Sequence, residues 1–271
     1  MVGTCVVYLN WGPLGVEPFE RFAASYKAHD ADLEHRLVVA LKGTAESSAA
    51  ARFRTLADEV HADCLEVPAS GVDLDSYAAA ARRLEAGRLC FLNSTTEILA
   101  DGWLAALGTA LERPQIGLVG ATGSNESAFS IAPLPLRPLR RRRYPAFPNP
   151  HVRTNAFMLE RDLMLELDWP VAGRKGLALE LESGRRSITR QIVSRGLDVL
   201  VVGADGCAYE ARDWHASRTF RSGLQENLLI ADNRTRQYAD ASPVRREQLA
   251  RLAWGDRALL EPASRTPSSP A

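Results

Sequence analysis

The chain has 271 residues, of which 46% are hydrophobic, and this is enough to form one large α/β domain with a buried core. Its 33 Lys and Arg balance its 33 Asp and Glu, which disfavours a dedicated nucleic-acid-binding protein because such proteins are normally basic. No apolar run approaches the roughly 18 residues that span a bilayer, and the first residues lack a signal-peptide pattern, so we expect a cytoplasmic protein.

Short apolar runs rich in β-branched residues alternate with segments of helical spacing along the first 92 residues. The runs predict strands at Thr4–Leu9, His35–Leu41, His61–Val67 and Arg88–Leu92, and the segments predict helices near Phe19–Tyr26, Ala45–Val60 and Leu74–Ala86. This alternation indicates an α/β fold with a mostly parallel sheet flanked by helices. Such sheets bind ligands beyond the carboxyl ends of their strands, which here means Asn10, Lys42, residues 68–75 and Asn93 onward.

The second half of the chain is less regular. Its patterns predict a helix at Ile98–Glu112, a strand at Ile116–Gly120, a loop at Ala121–Pro150, a strand at Arg153–Leu159, helices at Arg161–Leu167 and Ser187–Arg195, a strand at Asp198–Val202, and helices at Leu224–Asp232 and Pro243–Leu260. The last residues, 261–271, have the composition of a disordered tail.

Several nucleotide-binding and catalytic motifs are missing from the sequence. There is no P-loop, no G-x-S-x-G elbow and no clustered Cys and His for zinc. Gly120 and Gly123 follow a predicted strand, but the third glycine of a dinucleotide loop would fall at Glu126. The four cysteines form no C-x-x-C pair and are expected to be reduced, and Cys5, Cys64 and Cys90 lie in apolar runs that predict burial.

The segment Gly87–Leu104 reads GRLCFLNSTTEILADGWL and resembles the centre of family 2-type glycosyltransferases, where a strand runs into FLNxDTE and then GWL. Further pieces resemble that family in matching order: YLNWG at Tyr8–Gly12, VDLDSYAAAA at Val72–Ala81, GLVG at Gly117–Gly120, NAFMLER at Asn155–Arg161, and the segment Glu182–Gly203. The resemblance implies the GT-A fold, with a nucleotide-sugar-binding domain at residues 1–210 and a lid or helical extension at 211–260.

In this family an Asp of the central segment binds the divalent metal that bridges the donor diphosphate. Thr95 stands at that position here, and Glu97 is the acidic residue that remains. Three explanations stay open: catalysis without metal, a weak Mg²⁺ or Mn²⁺ site formed by Glu97 with another residue such as His215, or an inactive site. The resemblance also makes Asn93, Thr95 and Glu97 candidate donor-binding residues.

Without a metal, other positive charge must stabilise the diphosphate. Arg185, Arg186 and Arg190 lie at the beginning of a predicted helix and are candidates, with a solvated basic face as the alternative. The arginine-rich segment Arg137–Arg143 is a second candidate, through contact with a phosphorylated lipid or the inner face of a membrane, with a mobile exposed loop as its alternative.

The family's general base is an Asp in an ED pair just before the last conserved helix. That pair is absent here, so Glu182 is the first candidate and Glu180 the second, and both inversion and retention stay open. Asp73 and Asp75 are candidates for a base or ribose contact, or alternatively caps of the following helix. Asn10 and Trp11 end the first strand, where a base could stack on the indole.

These features predict a glycosyltransferase that moves a sugar from a nucleotide-sugar donor to a glycan or lipid-linked acceptor. The alternative is a non-catalytic GT-A-like interaction or scaffold module, which the missing Asp and ED pair favour. A nucleotidyltransferase would need a glycine-rich phosphate loop, and residues 10–15 are too poor in glycine to form one.

Overall fold

A computed structural model describes residues 3–44, 49–169 and 176–256. Eight strands, numbered in chain order, form one central sheet. Their spatial order is β11 (Ala208–Glu210), β10 (Asp198–Val202), β6 (Ile116–Gly120), β9 (Ala156–Glu160), β4 (Arg88–Leu92), β1 (Thr4–Trp11), β2 (His35–Lys42) and β3 (Asp63–Val67). Two further pairs are small: β5 (Glu97–Ile98) with β12 (Ile230–Ala231), and β7 (Gly123–Ser124) with β8 (His151–Val152).

The sheet is mostly parallel, as the alternation predicts. Parallel pairs join β1 to β2 and β4, β2 to β3, and β6 to β10. Strand β9 runs antiparallel to both β4 and β6, because no crossover element carries the chain back to the amino edge between β6 and β9. The α/β fold class is therefore confirmed, with β9 and the edge strand β11 as its antiparallel members.

Helices cover both faces of the sheet. They are α1 (Glu17–Ala28), α2 (Ala50–Glu59), α3 (Asp73–Arg83), α4 (Trp103–Leu111), α5 (Arg137–Arg143), α6 (Arg161–Glu166), α7 (Leu177–Ser183), α8 (Ile188–Ser194), α9 (Asn233–Ala239) and α10 (Pro243–Trp254). Alternate residues of β1 face opposite cores: Val7 packs with α3, α6, α7 and α8, whereas Tyr8 packs with α1, α2 and α4.

Several predicted elements differ from the structure. The helix predicted at Ile98–Glu112 begins only at Trp103. Ile98 belongs to β5 and pairs with Ile230 of β12, and Gly102 before the helix adopts a φ of +69°. The segment predicted as a helix at Leu224–Asp232 is instead turns and strand β12, and the helix follows at Asn233. The predicted loop Ala121–Pro150 contains β7 and α5.

Other boundaries shift or fall outside the described residues. Helix α2 begins at Ala50. Residues 45–48 of the predicted helix Ala45–Val60 lie outside the described residues. Helix α10 ends at Trp254. Residues 257–260 of the predicted helix and the predicted tail 261–271 lie outside the described residues. Cys64 is exposed because β3 is an edge strand, which corrects its expected burial.

Residues on both sides of position 210 share one apolar core. Trp214, Phe220 and Trp254 are buried in the same cluster as Val7 and Leu181. Within the described residues, no helix is long and apolar enough to cross a membrane.

Candidate functional site

A cleft of about 450 Å³ opens at the carboxyl ends of the parallel strands. The strand order reverses at β1, because β2 lies on one side of it and β4 on the other. The cleft lies at this switch point, where doubly wound sheets bind ligands. Its lining combines strand ends with residues distant in sequence: Trp11, Lys42, Ala69, Gly71, Val72, Asp73, Leu74, Asn93, Arg153, Thr154, Asn155, Ala178, Glu182, Asp232, Asn233 and Arg234.

The first wall comes from the ends of β1 and β2. Trp11 is 40% exposed, so its indole is available to a ligand, and its neighbour in register is Lys42. The Lys42 side chain is only 4% exposed and donates to the Gly71 carbonyl at 3.0 Å and to Asp73 Oδ1 at 3.3 Å. Lys42 therefore fixes the loop before α3. Gly71 has a φ of +90°, and a Cβ there would meet the Asp75 carboxylate at 2.4 Å, so this loop requires glycine.

The opposite wall is held by a buried ion pair. Arg153 Nη2 lies 2.6 Å from Asp232 Oδ2, and the two side chains are 4% and 1% exposed. Burial alone would raise the pKa of Asp232, but the charge and hydrogen bond of Arg153, with hydrogen bonds from Thr235, hold that pKa below its ordinary value. Asp232 also caps α9 by accepting from the amides of Arg234 and Thr235. The pair thus anchors the start of α9 at the cleft.

Glu182 brings a carboxylate into the cleft from α7. Ala178 lies one turn earlier on the same helix face and also lines the cleft. Among the described residues, Glu182 makes no side-chain hydrogen bond and no ion pair. Burial lowers the pKa of nearby His151, which the Glu182 charge only partly offsets, so His151 is neutral near pH 7 and is no cationic partner for Glu182.

Two donors in the cleft lack partners among the residues described. Asn155 is 3% exposed and its Oδ1 accepts from Thr122 at 2.7 Å, but its Nδ2 group donates to no described residue. An unsatisfied buried donor costs roughly 1–3 kcal/mol, which a ligand oxygen could recover. Arg234 is exposed and its guanidinium forms no ion pair with any described residue. Within the described part of the chain, the cleft therefore presents an unpaired cation, Arg234, and an unpaired carboxylate, Glu182.

In the segment from Asn93 to Glu97, where the resemblance predicts donor and metal contacts, the side chains contact other residues of the protein. Asn93 Oδ1 accepts from the Thr95 amide and hydroxyl, both at 3.0 Å, and from Thr96 at 3.2 Å. Glu97 pairs with Arg236 at 3.1 Å, and Arg236 also donates to the Thr95 carbonyl at 2.9 Å. No described group of three His, Cys, Asp or Glu side chains could hold a metal. Thr95 and Glu97 are thus engaged by other residues of the protein.

The candidates from the sequence separate into two groups. Trp11, Asp73, Asn93 and Glu182 come together in the cleft, whereas the others do not line it. Asn10 is buried at 3% exposure, with an Nδ2 group that has no partner among the described residues. The Asp75 carboxylate accepts from the Val72 amide at 2.8 Å and so caps α3.

The remaining candidates lie outside the cleft lining. Arg185 and Arg186 precede α8, which begins at Ile188, so they do not lie at its beginning as predicted; they contact the Arg141 carbonyl and Asp168. Arg190 donates to Asn149 at 3.2 Å. Glu180 is on α7 but does not line the cleft, and the His215 ring packs edge-on against Trp254.

Sequence reasoning missed Arg153, Asn155, Asp232 and Arg234 as members of the site. Asn155 begins the segment NAFMLER that resembles the family, so its position before a strand of the sheet could have indicated a place in the site. The pairing of Arg153 with Asp232 spans 79 residues, and no local pattern signals it.

No family model matches the chain, and no curated protein matches it in sequence. Among solved structures it is similar to the mannosyltransferase PcManGT from Pyrobaculum calidifontis, solved with GDP-Man and Mn²⁺, at 13% identity and a TM-score of 0.49. The match covers 80% of this chain and 60% of the mannosyltransferase, so the chain spans less than two thirds of that protein.

A second solved structure is 4-diphosphocytidyl-2C-methyl-D-erythritol synthase from Anaerococcus prevotii, at 11% identity and a TM-score of 0.47. That match covers 74% of this chain and 88% of the synthase. Similarity at this level assigns neither an activity nor site residues.

Proposed function

We propose that the chain is a glycosyltransferase of the GT-A type that transfers a sugar from a nucleotide-sugar donor to a glycan or lipid-linked acceptor without a bound divalent metal. The observation that carries the proposal is the cleft at the switch point of the sheet. Its lining includes an exposed indole, and a guanidinium and a carboxylate that have no partner among the described residues. Its volume of about 450 Å³ suits a small organic ligand.

The donor would bind through three kinds of contact. The exposed face of Trp11 offers a stacking surface for the base. Arg234 supplies a charge to the diphosphate, and the Nδ2 group of Asn155 supplies a hydrogen bond. Asp73, held beside Lys42, would accept from a ribose hydroxyl.

Glu182 would act as the general base in the transfer. The acceptor oxygen bonds to the anomeric carbon while the bond from that carbon to the donor phosphate breaks, and the acceptor proton passes to the carboxylate. The nucleoside diphosphate leaves with the electron pair of the broken bond. Because Glu182 has no partner among the described residues, its carboxylate is available to accept that proton.

Arg234 would carry the role that a metal has in related enzymes. The leaving diphosphate accumulates negative charge, and a cation in a partly enclosed cleft stabilises it. Glu97 already pairs with Arg236, which favours an arginine over a dication at this site.

Titration calorimetry with a panel of nucleoside diphosphates and their sugars, with and without Mn²⁺, tests the proposal. We expect one nucleotide to bind with an affinity that Mn²⁺ does not change. Replacing Arg234 with Gln should weaken binding about tenfold, whereas the matched change Arg245→Gln on α10 should leave it unchanged. A metal requirement would contradict the assignment of Arg234.

Transfer itself is tested with Glu182→Gln. This variant should bind the donor normally and lose about 10²- to 10⁴-fold in turnover. Equal turnover of the sugar donor by Glu182→Gln and by the original protein would show that Glu182 is not the general base.

A non-catalytic GT-A-like interaction module is the second candidate. The occupied segment at Thr95 and Glu97 favours it, because these side chains serve internal contacts. No binding of any nucleotide in the calorimetric panel would make this the better interpretation.

A further inference from the structure

A second surface combines arginines with exposed aliphatic side chains. It consists of residues 129–143 together with Arg185, and we call it the basic–aliphatic surface. Its arginines are Arg137, Arg140, Arg141, Arg142, Arg143 and Arg185. None of the six forms an ion pair with any described residue, and the sequence has no Asp or Glu between residues 127 and 150.

The aliphatic part of this surface is unusually open. Ile131 is 57% exposed, Leu134 75%, Leu136 47% and Leu139 65%. Leu134 also lines a groove of about 630 Å³ with Phe129, Pro138 and four of the arginines. Four large aliphatic side chains within nine residues are thus exposed, and a concentration of exposed apolar side chains marks an interaction site.

The surface is fixed to the rest of the protein by hydrogen bonds. The Arg185 amide donates to the Arg143 carbonyl at 2.8 Å, and Arg185 Nε donates to the Arg141 carbonyl at 3.2 Å. Arg137 Nε donates to the Ala132 carbonyl at 3.2 Å. Like charges are thus held together without counter-charge from the described residues, which is unfavourable unless a partner supplies anions.

We propose that the basic–aliphatic surface docks on an anionic lipid bilayer. Guanidinium groups at the headgroup level attract anionic lipids, and the leucines enter the boundary with the acyl chains. Nucleic acid would satisfy the arginines but would leave the four aliphatic side chains in water. Charge and apolar exposure together therefore favour a membrane.

Docking here would bring the lipid surface close to the cleft. Arg185 follows shortly after the end of α7, and α7 carries Glu182 on the cleft lining. The acceptor would then be a lipid-linked hydroxyl compound, a step that rests on the proposed transferase function.

Vesicle co-sedimentation of the full chain without nucleotide tests the docking. We expect binding to phosphatidylcholine vesicles that contain phosphatidylglycerol, and much weaker binding to phosphatidylcholine alone. Arg141→Gln with Arg142→Gln should lower the partition coefficient about 30-fold at low salt, given the usual contribution of each arginine. Leu134→Ser with Leu139→Ser should lower it roughly tenfold, also at high salt, where the arginine contribution is screened.

Matched controls change charge and apolarity elsewhere. Arg54→Gln with Arg82→Gln removes the same charge, and Leu224→Ser with Val244→Ser removes leucine and valine that are 74% and 69% exposed. Both controls should bind like the original protein. Equal losses in the controls, equal binding to both vesicle types, or binding to RNA but not to vesicles would overturn the proposal.

The two proposals fail separately. Nucleotide binding is measured without vesicles, and vesicle binding is measured without nucleotide. A protein that binds nucleotide but ignores vesicles refutes only the docking, and the converse result refutes only the transferase.

Discussion

Arginines in two regions of this molecule have opposite surroundings. Arg153, Arg221 and Arg236 each pair with a carboxylate that is distant in sequence: Asp232, Glu126 and Glu97. The arginines of the basic–aliphatic surface pair with none of the described carboxylates. Because a buried charge is costly without a partner, the interior arginines organise the fold, whereas the surface arginines remain available for binding.

Two of these paired arginines also share an aromatic ring. The guanidinium carbons of Arg153 and Arg221 lie 4.2 and 4.9 Å from the centroid of Phe220. Burial lowers the pKa of Arg221, although the Glu126 charge opposes the fall. Each of the two cations beside this buried ring has its own carboxylate, which offsets the cost of burying the charge.

The largest expected effect is at Arg153. Its replacement by Met leaves Asp232 buried without a cation, so we expect the free energy of unfolding to fall by about 3–5 kcal/mol. Urea denaturation measures this. Arg54→Met, at an exposed position on α2, is the matched control and should leave the midpoint unchanged. A small loss in Arg153→Met would mean that the buried pair does not anchor α9.

Acid should destabilise the protein through the same pair. The pKa of folded Asp232 lies below its ordinary value of 3.8, so the unfolded chain takes up the proton more readily. The stabilisation that the ionised carboxylate contributes is present above that value and is lost as the pH falls through the folded pKa.

Denaturation series from about pH 5 to pH 2 measure this loss. In Asp232→Asn the amide cannot titrate and still caps α9, so the slope with pH should be smaller than in the original protein. Equal slopes would place the acid sensitivity elsewhere.

A smaller effect is expected at Arg236. This side chain and its partner Glu97 are 28% and 31% exposed, so water weakens their attraction. Arg236→Gln should cost about 0.5 kcal/mol, and thermal unfolding would detect it as a slight fall in Tm. A loss as large as that of Arg153→Met would show that partial exposure does not separate these two pairs.

The smallest effect is expected on the surface. Arg141→Gln with Arg142→Gln removes charges that lack partners among the described residues, so the urea midpoint should stay the same or rise slightly as repulsion falls. A clear loss of stability would mean that these surface arginines also stabilise the fold, and would contradict the difference proposed between the two regions.

Much of the fold was predictable because it is local. The apolar runs of β1, β2 and β4 are buried on both faces, and this produces the continuous pattern that predicts a parallel sheet. The direction of β9 was not predictable, because strand orientation depends on where the chain re-enters the sheet rather than on its own residues. The prediction for segment 224–232 failed for a related reason, since β12 is defined by its partner β5.

The candidate site was predictable where it coincides with strand ends. Trp11 ends β1 and Asn93 follows β4, so their positions predict that they lie near the cleft, and the family resemblance indicated Asn93 and Glu182 as candidates. Arg153 and Asp232 could not be found in this way, because a long-range ion pair leaves no periodic signal in either segment.

The ion pair between Arg153 and Asp232 also bears on the order in which the protein is completed during synthesis. Residues 4–202 supply most of the central sheet, but one wall of the cleft also needs Asp232, which is made 79 positions after Arg153. Because Trp214, Phe220 and Trp254 also belong to the apolar core, both the core and this wall of the cleft need residues that are made after β10.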